Sequence, residues 1–274
     1  MKLKELPRSI YSAWRLRRTP VTELGASATP LPGRVVVSMT SVRSRFPYVH
    51  LAVRSLLDQS VRPERIVLWL GDSLREHVPG ALEALLGERF EIRHRLDTGP
   101  HMKLVYALQE FPEHTVVTAD DDHLYARSWL ERLWKSHEAH PDEVIGHECR
   151  RISYGTAGNV LPYIRWASER AGESHAATVA LGYAGVLYPP GVLFRDVTDQ
   201  SLYRDLAPQA DDLWFKAMSS LFGTRTRRSG DPPRKPVPIR GSQAEALGRA
   251  NITEDRNREQ WERISRHYGV RLKE

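Results

Sequence analysis

The run TVVTADDDHL sets three carboxylates, Asp120, Asp121 and Asp122, directly after a β-branched stretch. Each negative charge raises the cost of ionising its neighbour, so the cluster calls for an external positive charge. A hard divalent cation matches: Mg²⁺ or Mn²⁺ prefers oxygen ligands, is held by few protein groups and keeps positions for water and phosphate. Alternate side chains of a strand share a face, which would let Asp120 and Asp122 grip one ion with Asp121 between them. The competing reading is a solvated acidic turn capping the next helix.

A second acidic pair, Asp211 and Asp212, opens ADDLWFKAMSSLF, whose Trp214, Ala217, Met218 and Leu221 share one helical face. At a helix start such acids serve equally as a cap and a first-turn charge. Lys103, in DTGPHMKLVYAL, is a cation at a helix start, where the dipole disfavours it, and a compact ammonium there suits a phosphate. Arg43 and Arg45 fit phosphate on charge grounds, or are solvated residues at a helix start.

Elements that could position these groups follow one pattern. RVVVSMT reads as a buried strand, FPYVHLAVRSLLDQS as a helix, and RIVLWLGD as a strand stopped by Gly71 and Asp72. PGALEALLG, FEIRHRL, MKLVYALQEF and HTVVTADDD repeat the theme as helix, strand, helix, strand. Such alternation predicts a mostly parallel sheet with helices on both faces, whose ligands sit at the carboxyl ends of the strands. Ser38 to Ser41, Gly71 with Asp72, and the aspartate triplet each fall at such an end. SWLERLWKSHEAHP reads as a helix and VIGHECRRI as one further strand. YGTAGNVLPYIRW and GYAGVLYPPGVLF read as pocket-framing loops, the latter followed by a helix with Pro189 and Pro190 near its first turn. Residues 224 to 242 read as an extended basic, Pro-rich segment, and DRNREQWERISRHY as a closing helix.

The 274 residues, 41% hydrophobic, suffice for one large domain or a core with an appendage. The lone Cys149 excludes an internal disulfide and a cysteine zinc cage, and no signal segment or bilayer-length apolar run is visible, so a cytoplasmic setting is expected. A net charge of +6 favours anionic partners. MKLKELPRSIYSAWRLRRTP interleaves basic and apolar residues, as a helix at a membrane surface would, or as a basic tail packed on its own domain would.

The order of these motifs over residues 34 to 222 resembles the GT-A glycosyltransferases, in particular bacterial family-two-like enzymes that use nucleotide sugars. The resemblance implies a basic segment at 1–30 and a catalytic domain at 31–223, with a nucleotide-sugar half to about 125 and an acceptor half after it. Residues 224–274 would pack on that domain. It implies Mn²⁺ or Mg²⁺ held by Asp122 and Asp120 against the donor diphosphate, with UDP-sugars the favoured donors. The donor would meet Thr40, Ser41, Arg43, Asp72, Lys103, Asp120, Asp121 and, in the Gly-rich loop, Gly185, with Tyr183 and Tyr188 as stacking faces. Asp212 would be the general base of an inverting transfer and Asp211 its partner. The acceptor would be a glycan or lipid-linked hydroxyl of envelope or capsule assembly, with peripheral membrane contact through the N-terminus and no nucleic-acid partner.

Two features depart from the pattern. The only histidine after the acidic pair, His267, lies on the closing helix, and the membrane segments of processive synthases are absent. A sugar nucleotidyltransferase would carry a glycine loop where SMTSVRSRF stands. In a basic nucleic-acid-binding protein the acids of the cleft would repel phosphates unless a metal intervened, and no nucleic-acid module is recognisable.

Overall fold

The computed structural model describes residues 3–242, 254–270 and 272; of the closing segment 224–274, residues 243–253, 271 and 273–274 therefore lie outside the described residues. In chain order its elements are α1 (Leu6–Arg18), β1 (Thr29–Pro30), β2 (Val35–Thr40), α2 (Phe46–Leu57), β3 (Val61–Arg62), β4 (Arg65–Gly71), α3 (Gly80–Glu83), β5 (Phe90–Arg95), α4 (Met102–Glu110) and β6 (Thr115–Thr118). There follow β7 (His123–Leu124), α5 (Trp129–Ala139), β8 (Val144–Gly146), β9 (Cys149–Arg151), β10 (Ala167–Ser168), β11 (Ser174–His175), β12 (Thr178–Ala180) and β13 (Val186–Tyr188). Then come α6 (Gln200–Leu206), α7 (Asp211–Phe222), β14 (Thr226–Arg228), β15 (Val237–Pro238) and α8 (Arg256–Tyr268).

An eight-stranded sheet in the order β11-β14-β8-β13-β6-β2-β4-β5 forms the centre. β2 runs parallel to both β4 and β6, and β4 to β5, while β13 enters antiparallel between β6 and β8. Both faces are covered, which is why the central strands are runs of valine rather than alternating sequences. Alternation still sorts the side chains: Val36 joins one apolar layer, and Val35 and Val37 the other. The first layer packs under α4, α7 and α8 around Trp69, Trp214 and Trp261; the second packs under α1, α2 and α5 around Leu16, Leu51 and Trp129.

Four readings need correction. VIGHECRRI is two strands, not one: β8 lies in the main sheet, while β9 leaves it to join a three-stranded sheet β10-β9-β12. The break follows Gly146, where a Cβ would stand 2.6 Å from Ala180 Cβ and 3.0 Å from Cys149 Sγ. GYAGVLYPPGVLF is not all loop, because Val186–Tyr188 is a buried central strand, and Pro189 and Pro190 do not open a helix. The basic 224–242 segment is not a free extended tail: β14 completes the sheet beside β8, and β15 pairs with β7. The strand before the aspartates ends at Thr118, so the triplet occupies a turn and strand alternation does not govern it.

Candidate active site

A cavity of about 770 Å³ opens at the carboxyl ends of β2 and β6, where a doubly wound sheet presents its loops. Thr40, Ser41, Arg45, Lys103, Asp120, Asp121, Asp122, Asp211 and Asp212 all line it. Two acidic clusters far apart in sequence thus meet across one space.

The triplet is held from several sides. Lys103 Nζ lies 2.7 Å from Asp120 Oδ1, Ser41 Oγ donates to Asp121 Oδ2 at 2.5 Å, and Arg45 Nη1 lies 3.2 Å from Asp122 Oδ2. His123 Nδ1 is 2.5 Å from Asp122 Oδ1. The turn's backbone is fixed too: Asp120 N donates to the Tyr125 hydroxyl at 2.7 Å, and Asp122 O accepts from Ile239 N at 2.8 Å. Burial, reinforced by the charge of Asp122, pushes the Asp121 carboxyl up to about 7.

The acidic pair starts α7 but does not cap it. Ala210 is the N-cap, and Asp212 instead accepts Gly182 N through both oxygens at 3.0 Å. Asp211 Oδ2 lies 3.0 Å from Lys103 Nζ. Burial and the adjacent Asp211 charge push Asp212 up to about 8, against the pull of Lys103. Burial alone would lower the Lys103 ammonium, but Asp120, Asp211 and Asp212 together hold it well above its ordinary value. That resolves the cation at a helix start: its partners are carboxylates, not the dipole. His101 stacks on Tyr203 with centroids 4.3 Å apart, and burial, outweighing Asp211, draws it down to about 4, so it is a neutral neighbour.

Small residues permit these approaches. A Cβ on Gly182 would stand 2.8 Å from both Asp212 Oδ1 and Lys103 Nζ. Gly185, the glycine singled out from the sequence, serves elsewhere: it does not line the cavity, has φ +100°, and a Cβ there would fall 2.4 Å from the Trp129 ring. Thr40 lines the cavity while its hydroxyl donates to Trp69 O at 2.9 Å.

Other expected residues lie apart. Asp72 is exposed outside the cavity lining and pairs with Arg75 at 3.2 Å; Arg43 is exposed and outside it as well. Asp97, beyond the end of β5, lines the cavity where Asp72 does not. The strand-end rule applied to Asp72 applies equally to Asp97, one strand further along. Tyr183 lines the cavity, whereas Tyr188 is buried with its ring edge-on to Phe215. His267 is an exposed residue of α8.

The triplet offers only oxygen donors, and burial, reinforced by the Asp122 charge, holds the Asp121 carboxyl up to about 7, so a hard divalent cation there would favour its ionised form. Among the described residues no three or more His, Cys, Asp or Glu side chains are disposed to enclose an ion unaided. A cation that takes one or two carboxylates and completes its shell from phosphate and water fits such a site.

The family model described as Glycosyl transferase family 2 matches residues 37–199, more than half the chain. The chain belongs to glycosyl transferase family 2. The family-matched region carries the aspartate triplet and the Gly182 loop, while the acidic pair lies beyond it. In three dimensions this family 2 chain is similar to S. aureus TarS 1-349, with a TM-score of 0.50 and 16% identity over 74% of this chain and 59% of that one. It therefore spans about three-fifths of the TarS fragment. The same fragment in complex with UDP gives a TM-score of 0.47 and 14% identity over the same 74% and 59% shares. A 4-diphosphocytidyl-2C-methyl-D-erythritol synthase from Anaerococcus prevotii gives 0.48 and 12%, over 83% of this chain and 96% of that one. Similarity this distant speaks to the fold alone. No curated protein matches the chain.

Proposed function

We propose that the protein transfers a sugar from a nucleoside diphosphate sugar to a hydroxyl acceptor with inversion at the anomeric carbon. The observation that carries this reading is the convergence of Asp120–Asp122 and Asp211–Asp212 on one cavity, with Lys103 between them. A diphosphate needs positive charge on one side of the site, and an acceptor hydroxyl needs a base on the other.

Asp212 is the base. Its ionised carboxylate takes the acceptor proton as the acceptor oxygen bonds to the anomeric carbon, and the bond from that carbon to the diphosphate breaks with its electron pair leaving on the phosphate oxygen. The Gly182 N–H holds Asp212 in place, and its elevated pKa makes it a stronger base than an ordinary carboxylate. Lys103 and Arg45 are the cations beside the departing charge. Asp122 and Asp120 are the residues that would hold Mg²⁺ or Mn²⁺, which when bound supplies positive charge to the leaving diphosphate. Thr40, Ser41 and Asp97 line the side of the cavity assigned to the nucleotide.

A UDP-sugar is the donor to test first. The acceptor is a glycan or a lipid-linked carrier of envelope or capsule synthesis, reached by a protein working at the cytoplasmic membrane face. Contact of this kind is peripheral, through the N-terminal segment; among the described residues no helix is long and apolar enough to cross a membrane.

The test is nucleotide release by purified protein from UDP-, GDP-, CMP- and TDP-linked sugars with and without Mn²⁺. Release from one donor class, lost in Asp212→Asn and in Asp122→Ala, is expected. Equal release by Asp122→Ala and wild type would remove the metal role, and no release or thermal stabilisation with any donor would remove the transferase reading.

A further inference from the structure

Helix α1 has two unlike faces. Ser9, Ala13 and Leu16 are buried against the domain, while Ile10, Tyr11 and Trp14 are 45%, 63% and 49% exposed, and Leu3 just before the helix is 86% exposed. The outward rings are ordered rather than scattered: Tyr11 stacks on Trp14 with centroids 6.1 Å apart, and the Arg18 guanidinium lies 4.8 Å from the centre of the Trp14 ring. Lys4, Arg17 and Arg18 are exposed beside them.

The helix is fixed in this attitude by residues from both nearby and remote sequence. Ser9 Oγ donates to Pro238 O at 2.8 Å, Arg8 Nη1 to Lys235 O at 3.2 Å, and Arg54 Nε to Leu16 O at 2.7 Å. The remote contacts bring a second set of exposed cations, Arg234 and Arg240, against α1. The segment that carries them also pairs with β7 next to the aspartate triplet. Apolar aromatic rings flanked by arginine and lysine match the chemistry of an anionic bilayer surface, with the rings at headgroup depth and the cations against lipid phosphates.

We propose that α1, together with the Arg234–Arg240 segment, docks the protein on an anionic lipid surface, so that the acceptor is a membrane-borne molecule whose hydroxyl is presented at that surface. The acceptor clause rests on the glycosyl-transfer reading above; the docking clause does not.

The test is sedimentation of the full chain with phosphatidylcholine vesicles and with vesicles containing phosphatidylglycerol, alongside nucleotide release to water or a soluble acceptor. Co-sedimentation is expected only with anionic vesicles and should weaken with salt. Tyr11→Ser/Trp14→Ser and, separately, Arg17→Gln/Arg18→Gln should each reduce it, the latter by about thirtyfold for two cations near an anionic surface. Both variants change exposed side chains outside the cavity, so nucleotide release and melting temperature should be unchanged. Partition that ignores lipid charge, or no partition at all, overturns the proposal, as does duplex DNA binding lost in Arg17→Gln/Arg18→Gln without vesicle binding. Vesicle binding without nucleotide release from any donor would sustain the docking and defeat the transfer reading instead.

Discussion

Lys103 Nζ lies 3.0 Å from Asp211 Oδ2 while also holding Asp120 at 2.7 Å, so one buried ammonium joins the aspartate turn to the start of α7. Removing it leaves three carboxylates facing one another with their common counter-charge gone. Lys103→Met is expected to cost on the order of 3 kcal/mol of stability, the range for breaking a buried ion pair. Urea denaturation checks this; a variant as stable as wild type would show that the acids do not depend on Lys103.

The pH dependence follows from Asp212. A base works ionised, and this carboxyl gives up its proton only near pH 8, so kcat/KM should reach its plateau above that value and fall as the pH drops through it. Asp212→Asn should lower kcat by about 10²–10⁴-fold. Asp211→Asn removes a neighbouring negative charge that raises Asp212, so its acid limb should move to lower pH. A limb left in place in Asp211→Asn would argue against the pair acting together.

Gly182 offers a substitution test of close approach. In Gly182→Ala the new methyl would meet Asp212 Oδ1 and Lys103 Nζ at 2.8 Å, displacing both. A loss of kcat/KM of at least about tenfold is expected from displaced catalytic groups. The control is Gly80→Ala, which would meet nothing within 4 Å and should leave kinetics unchanged.

Asp121 gives a stability signature. Its folded carboxyl titrates near 7 rather than at the ordinary 3.8, so the folded state binds more protons than the unfolded state between those values. Its contribution to stability should therefore fall as pH rises from about 4 to about 7 and then level off, while Asp212, raised to about 8, extends the decline of the whole protein to about that pH. Asp121→Asn should match wild type near pH 4 and melt about 3 °C or more higher at pH 8. Mn²⁺ should raise the wild-type melting temperature at pH 8, and raise that of Asp122→Ala less.

The succession of valine-rich runs and amphipathic helices along the chain made the parallel half of the sheet readable, because an unbroken apolar run and a helical period are each local signals. β13 and β14 were hidden for the opposite reason: three-residue strands in the middle of a sheet take their state from their neighbours, and Val186–Tyr188 between glycines and prolines looks like any loop. The charged cavity residues were legible as types clustered at strand ends. Their pairings were not, since Arg45 reaching Asp122 and Gly182 reaching Asp212 depend on turns that leave no periodic trace. The same rule covers Asp72 and Asp97 alike, and it is tertiary placement that separates them: Asp97 lies against Gly71 and lines the cavity, while Asp72 pairs with Arg75 outside it.

The carbonyl of Asp122 accepts from Ile239 N at 2.8 Å and from Ser242 Oγ at 3.3 Å. Chimeras that exchange sugar specificity between relatives by grafting only the family-matched block, which stops at residue 199, would transplant the acids and leave their brace behind. A recombination junction placed after Ser242 keeps the turn and its support on one inherited piece.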